Sequence, residues 1–190
     1  MKILITIGHP GHVHFYKNFV WTAQKKGHEV TILAEKKEVS TALLRNYNLE
    51  YRLVSEQKHK GILRIFDQLS HELGVYKFAK GFKPDIITGI GGTAAAHVAK
   101  VLGCTSIIFT DSEPAKLANA ITFPFANVIC TPSCYRDRLD EKQIRYNGYH
   151  ELAYLHPNRF TPNPAVLDEL GLAEGDPFII VRFVSWDASH

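Results

Sequence analysis

MKILITIG, residues 1–8, is an apolar run that reads as a buried strand, and HPGHVHF, residues 9–15, follows it before helical spacing takes over. The junction is therefore strand, glycine-bearing turn and helix N-terminus. A helix N-terminus carries unpaired backbone N–H groups and a partial positive charge, so the turn after Gly8 is expected to receive an anion or a polar substrate group. Three imidazoles, His9, His12 and His14, crowd the same turn.

Downstream the alternation of elements is regular. Tyr16, Phe19, Val20 and Ala23 share a helix face closed by Gly27, and His28 to Ala34 is a second strand. Val39, Leu43, Leu44 and Tyr47 mark a helix, Glu50 to Ser55 a third strand, and Glu56 to Gly61 a loop. A long helix is expected with Ile62, Ile65, Phe66, Leu69, Leu73 and Tyr76 on its apolar face. Then come a strand over Pro84 to Gly92, a small-residue helix over Ala94 to Leu102 and a strand over Thr105 to Thr110. A helix from Pro114 and a sixth strand over Asn127 to Thr131 complete the pattern. Strands separated by helices of this length imply parallel βαβ crossovers, so the expected class is α/β, a Rossmann-like parallel sheet with helices on both faces.

Residues 1–155 are expected to form this domain. The three prolines of 156–164 read as an extended linker, which with a short helix over Ala165 to Leu170 and a turn fills residues 156–177. FIIVRFV, Phe178 to Val184, looks like the first strand of a second domain truncated within 178–190.

The composition is that of an ordinary globular chain: 190 residues, 45% apolar, 22% charged, with a formal charge of +3. No Lys/Arg stripe marks a nucleic-acid surface. No run approaches the roughly 20 apolar residues of a membrane span, and no signal peptide is visible, so a cytoplasmic protein is expected, with peripheral membrane contact still allowed. Cys104, Cys130 and Cys134 read as reduced thiols in or near strands.

In an open parallel sheet, ligands bind outside the carboxyl ends of the strands where strand order reverses. The segments expected there are residues 8–14, 89–93, 110–114, 131–134 and 146–151, all rich in Gly, His, acids or hydroxyls. His12 sits where a helix begins, after Gly11, and suits a general base with an ordinary pKa near ~6.5; its alternative role is capping or packing. Gly91 and Gly92, followed by Thr93, suit a backbone cradle for phosphate or sugar, or a plain helix start. Asp111 and Glu113 are placed to hold sugar hydroxyls, to orient His12, or to cap a helix. The His9, His12, His14 spacing invites a metal, but no acidic partner stands at a motif spacing, and no metal site is expected. Neither glycine turn completes GxGxxG, so no nicotinamide cofactor is expected.

These residues together resemble the N-terminal half of a GT-B glycosyltransferase. Gly11-His12-Val13 and the Gly89, Gly91, Gly92 turn are similar to turns of the lipid-linked N-acetylglucosaminyltransferase of peptidoglycan synthesis, although His9 and Pro10 stand where that family has small residues. The motifs GHPGHVHFYKN, GIGGTAAAHVAK, FTDSEPAKL, TPSCY, RYNGYHELAYLHP and RFVSWDASH more closely resemble a prokaryotic domain-of-unknown-function family, number three-five-four, which in turn resembles UDP-N-acetylglucosamine 2-epimerase.

The resemblance implies a sugar-nucleotide enzyme whose present half holds a glycan or lipid-linked acceptor. His12, Asp111 and Glu113 would be catalytic, with Gly8, Gly11, His14, Gly91, Gly92, Thr93, Asn147, Gly148 and His150 binding substrate. The nucleotide-sugar donor would sit mainly on a second domain, leaving this half inert alone. An epimerase and a non-catalytic sugar- or nucleotide-binding module are the alternatives.

Overall fold

Ile3, Ile5 and Ile7 point to one face of the first strand and Leu4 to the other, and all four are at most 3% exposed. A strand buried on both sides is what a parallel sheet covered by helices requires. The computed structural model describes residues 1–56 and 63–183. It places strands β1 (Lys2–Ile7), β2 (Glu29–Lys36), β3 (Tyr51–Glu56), β4 (Ile86–Ile90), β5 (Thr105–Phe109), β6 (Val128–Pro132) and β7 (Gln143–Tyr146) in one sheet. The order is β3-β2-β1-β4-β5-β6-β7 and every neighbouring pair is parallel. The chain runs outward from β1 to β3, then returns to β4 on the other side of β1. The carboxyl ends of β1 and β4 therefore flank the switch point.

Helices α1 (Pro10–Lys25) and α2 (Glu38–Asn46) cover one face, with Val13, Tyr16, Val20 and Leu44 packed on Ile3, Ile5, Ile7 and Ile32. On the other face lie α3 (Arg64–Phe82) and α4 (Thr93–Leu102), with Val75, Ala79, Ala95 and Ala99 packed on Leu4, Leu33, Ile87 and Ile108. The expected Rossmann-like sheet with helices on both faces is what the chain forms. Short helices α5 (Lys116–Thr122), α6 (Leu152–Leu155) and α7 (Ala165–Glu169) complete it.

Four details depart from the sequence reading. The stripe expected to bury α3 faces outward: Ile65, Leu69 and Leu73 are 60%, 51% and 58% exposed, whereas His71, Val75 and Ala79 are buried. The sheet-facing stripe is made of small residues because α3 approaches β3 closely at Gly74. Strand β7 escaped the reading because it is an edge strand with one aliphatic side chain, Ile144, itself exposed. Residues 156–160 form a turn rather than an extended linker, with Arg159 and Phe160 N–H both donating to the His156 carbonyl at 2.7 and 3.0 Å. Residues 178–183 have no strand partner and no strand conformation, because β-structure needs a second strand to pair with. Ile62, most of the expected 56–61 loop and residues 184–190 lie outside the described residues.

The glycines after β4 are steric necessities. A Cβ on Gly89 would run into the Thr6 hydroxyl, and one on Gly92 would lie 3.1 Å from Gly89 Cα and 3.2 Å from Ala95 Cβ. Gly91 has φ +55°, in the left-handed region. Gly92→Ala is expected to lower stability by about 1–2 kcal/mol by wedging α4 from β4, read as a lower urea midpoint with unchanged slope; an unchanged midpoint would contradict the packing.

Candidate functional site at the carboxyl edge of the sheet

The first turn closes on itself. His9 has extended backbone and caps α1: its Nδ1 accepts the Gly11 N–H at 3.1 Å, and its carbonyl accepts the His12 N–H at 3.0 Å. Pro10, at the first helical position, has no N–H to offer. Gly11 is needed because a Cβ there would lie 3.2 Å from the His9 ring. The α1 N-terminus therefore has its donors occupied, and the expectation that this turn receives an anion is corrected. At α4 the Gly92 cap has no side-chain bond, and among the described residues the Ala94 and Ala95 N–H groups have no acceptor.

His12 lies in the first turn of α1 rather than at its start. Its Nδ1 accepts the Gly8 N–H at 3.4 Å, which assigns the ring proton to Nε2. Burial, then the neighbouring His9, His150 and Lys37, push its pKa down to about 3 against a weaker upward pull from Asp111. The ring is neutral at pH 7. Because the unfolded chain takes up this proton near ~6.5 and the folded one only near 3, folding stability is full above pH 6.5 and falls below it. Between pH 7 and 4.5 the wild type should lose about 2 kcal/mol more than His12→Asn, measured by urea unfolding at both pH values; equal losses would contradict the assignment.

Beside His12 a cavity of about 220 Å³ opens between the ends of β1, β2 and β4. Gly8, Gly91, Gly92 and Thr93 line it as the sequence reading expected, with Thr93 Oγ1 held 2.7 Å from Thr122 Oγ1. Its far wall was not anticipated. Glu35, one residue before the end of β2, and Gln68 and His71 of α3 also line it. His71 is 7% exposed; its Nδ1 lies 2.8 Å from Ser55 Oγ and 3.8 Å from Glu35 Oε1. Lys37 Nζ lies 3.2 Å from Glu35 Oε2 and donates to the Gly8 carbonyl at 2.6 Å. The signal available was β2 running two residues past Ala34, which carries Glu35 to the switch point.

Asp111 and His150 form a second wall. His150 Nδ1 lies 3.1 Å from Asp111 Oδ2, and the bond from His150 holds the Asp111 carboxyl below its usual range. Asp111 is thus paired with His150, which corrects its expected role of orienting His12. His150 Nε2 and Tyr146 OH are buried with no hydrogen-bond partner. The His150 ring is braced by Phe15 at 4.9 Å and stacked on Tyr146 at 6.4 Å between centroids. Asn147 and Gly148 lie on the loop that carries His150 from β7.

Two expected residues fall elsewhere. Glu113 accepts the Arg136 N–H at 2.9 Å, which lowers its pKa, and among the described residues neither it nor Asp111 lines the His12 cavity. His14 turns from His12 to Tyr47, 3.1 Å from its hydroxyl, and packs on Tyr154. The three imidazoles of the turn therefore do not converge on a metal. A larger, mostly apolar groove of about 760 Å³ lies between α1, α6 and the β4–β5 face, away from these groups.

Residues 1–190 match the family described as "Protein of unknown function (DUF354)" along their whole length. The chain belongs to DUF354. No curated protein matches this DUF354 chain in sequence. Among solved structures it is similar to a UDP-N-acetylglucosamine 2-epimerase, with a TM-score of 0.67 at 15% identity over 90% of this chain and 55% of that one. It is also similar to MurG of Acinetobacter baumannii (TM-score 0.63, 19% identity, 76% and 45% covered). The third is the SsfS6 glycosyltransferase of Streptomyces sp. SF2575 (0.52, 17%, 69% and 50%). At these identities the likeness is one of fold, and this DUF354 chain has the Rossmann-like domain fold of GT-B proteins. It spans about half the length of each of these structures. Among the described residues no helix is long and apolar enough to cross a membrane.

Proposed function

We propose that this DUF354 chain is the acceptor-side half of a glycosyltransferase that moves a sugar from a nucleotide sugar to a glycan or lipid-linked acceptor. The observation that carries the reading is His12, a neutral imidazole held at the switch point beside a sugar-sized cavity. In such a transfer the acceptor hydroxyl oxygen attacks the anomeric carbon, its proton departs, and the nucleoside diphosphate leaves. With Nδ1 tied to Gly8, His12 presents Nε2–H and so orients the acceptor oxygen by donating to a lone pair. To take the hydroxyl proton, the ring must release Gly8 and shift its proton between nitrogens, and a 3.4 Å bond is weak enough to yield. A companion domain that holds the nucleotide is part of the proposal.

The ionised Asp111 on the same edge favours a second reading, epimerisation, in which carboxylates move the proton next to the anomeric carbon. One assay separates the two: incubate the full natural protein with UDP-N-acetylglucosamine, with and without glycan acceptor. Acceptor-dependent UDP release is the expected result. The manno epimer forming without acceptor makes it an epimerase, and no turnover at all makes it a binding module.

A further inference from the structure

Resting on the reading of this edge as a sugar site, we propose that the cavity bounded by His12, Glu35, Gln68, His71 and Thr93 takes an uncharged, hydroxyl-bearing pyranose ring and rejects a phosphate-bearing one. Its donors and acceptors are neutral or negative. Lys37, the cation nearest the cavity, is engaged by Glu35 Oε2 at 3.2 Å and by the Gly8 carbonyl at 2.6 Å, so it has little left to offer a ligand. The α1 amides are closed off by the His9 ring and the His9 carbonyl. Glu35 remains as a carboxylate facing the cavity, where it would repel an anion and accept from sugar hydroxyls.

The remaining groups match a polyol. The two imidazoles, both held neutral by burial, face the cavity from opposite sides and each offers one ring nitrogen. Gln68 brings an amide, already positioned by its bond to Glu72 Oε1 at 2.9 Å, and the free Ala94 and Ala95 N–H groups suit a hydroxyl or an acetamide oxygen. At about 220 Å³ the space is below the ~300–1,000 Å³ of sites for drug-sized ligands, enough for one ring and not for a nucleoside diphosphate. His71 is a positioning residue in this scheme, set by Ser55 and Glu35.

The test is equilibrium binding of N-acetylglucosamine and of N-acetylglucosamine 1-phosphate to the protein and to Glu35→Gln, His71→Asn and Gln68→Ala. Gln68 lies on the accessible flank of α3, so its variant stays informative if the buried His71 variant fails to fold. The neutral sugar is expected to bind at least as tightly as its 1-phosphate. Gln68→Ala and Glu35→Gln should each weaken the neutral sugar about tenfold, and Glu35→Gln should narrow the gap between the two ligands. A 1-phosphate binding tenfold tighter than the free sugar overturns the inference while leaving glycosyl transfer standing. Absence of saturable binding of either ligand also overturns it, and the UDP-release assay then judges the transferase reading separately.

Discussion

Gly74→Ala should destabilise the protein by about 2 kcal/mol, although inside an isolated helix the same change stabilises by about 1 kcal/mol. Gly74 is in the middle of α3, where propensity alone favours alanine. A Cβ there would stand 2.5 Å from the Val54 carbonyl oxygen and 3.1 Å from Val54 Cβ on β3. The first of these contacts is with backbone inside a sheet, so the strand cannot swing aside and α3 must lift instead. Lifting α3 pulls His71, three residues earlier on the same helix, from Ser55 and Glu35. Urea unfolding should show a lower midpoint, and the His71 imidazole resonances should move toward those of a solvated ring. A variant as stable as the parent, or more so, would mean that α3 does not pack as closely as described.

His12→Ala should lower turnover of the full natural protein by 10²–10⁴-fold, the range that a positioned acid–base or orienting group supplies. Gly8 would lose the acceptor of its N–H, and the cavity would lose the imidazole that faces the acceptor oxygen. The structure makes a finer distinction. Glutamine at position 12 can still donate an N–H from about the place of Nε2 but cannot accept the substrate proton. If His12 mainly orients the acceptor, His12→Gln retains at least tenfold more activity than His12→Ala. Equal loss in both variants assigns His12 the proton transfer instead, and unchanged turnover in His12→Ala removes it from the chemistry.

The sheet was legible because the strands of a parallel sheet are buried on both faces, and Ile3 through Ile7 or Ile86 through Ile90 show this as unbroken apolar runs. His12 and the Gly91–Thr93 turn were legible because they follow such runs directly. The rest was hidden for physical reasons. Glu35 and His71 come from two distant elements, and only the approach permitted by Gly74 brings them to the switch point. The burial of α3 was misread because alanine and glycine face the sheet while larger residues face outward, the reverse of what periodicity assumes. Asp111 and His150 are 39 positions apart and meet only because β7, an edge strand of little apolar character, pairs beside β6. The anion expected at the first turn was excluded by one side chain, His9, which caps the helix that would have bound it.

The central claim is that sugar binds at the carboxyl edge between β1 and β4. Histidine-selective NMR of the protein titrated with N-acetylglucosamine tests it most directly. The account predicts saturable shifts of the His12 and His71 ring signals with one common affinity, and none for His14, which is engaged by Tyr47 and Tyr154. Shifts confined to His28 and His156, which line the apolar groove on the other face, would contradict it.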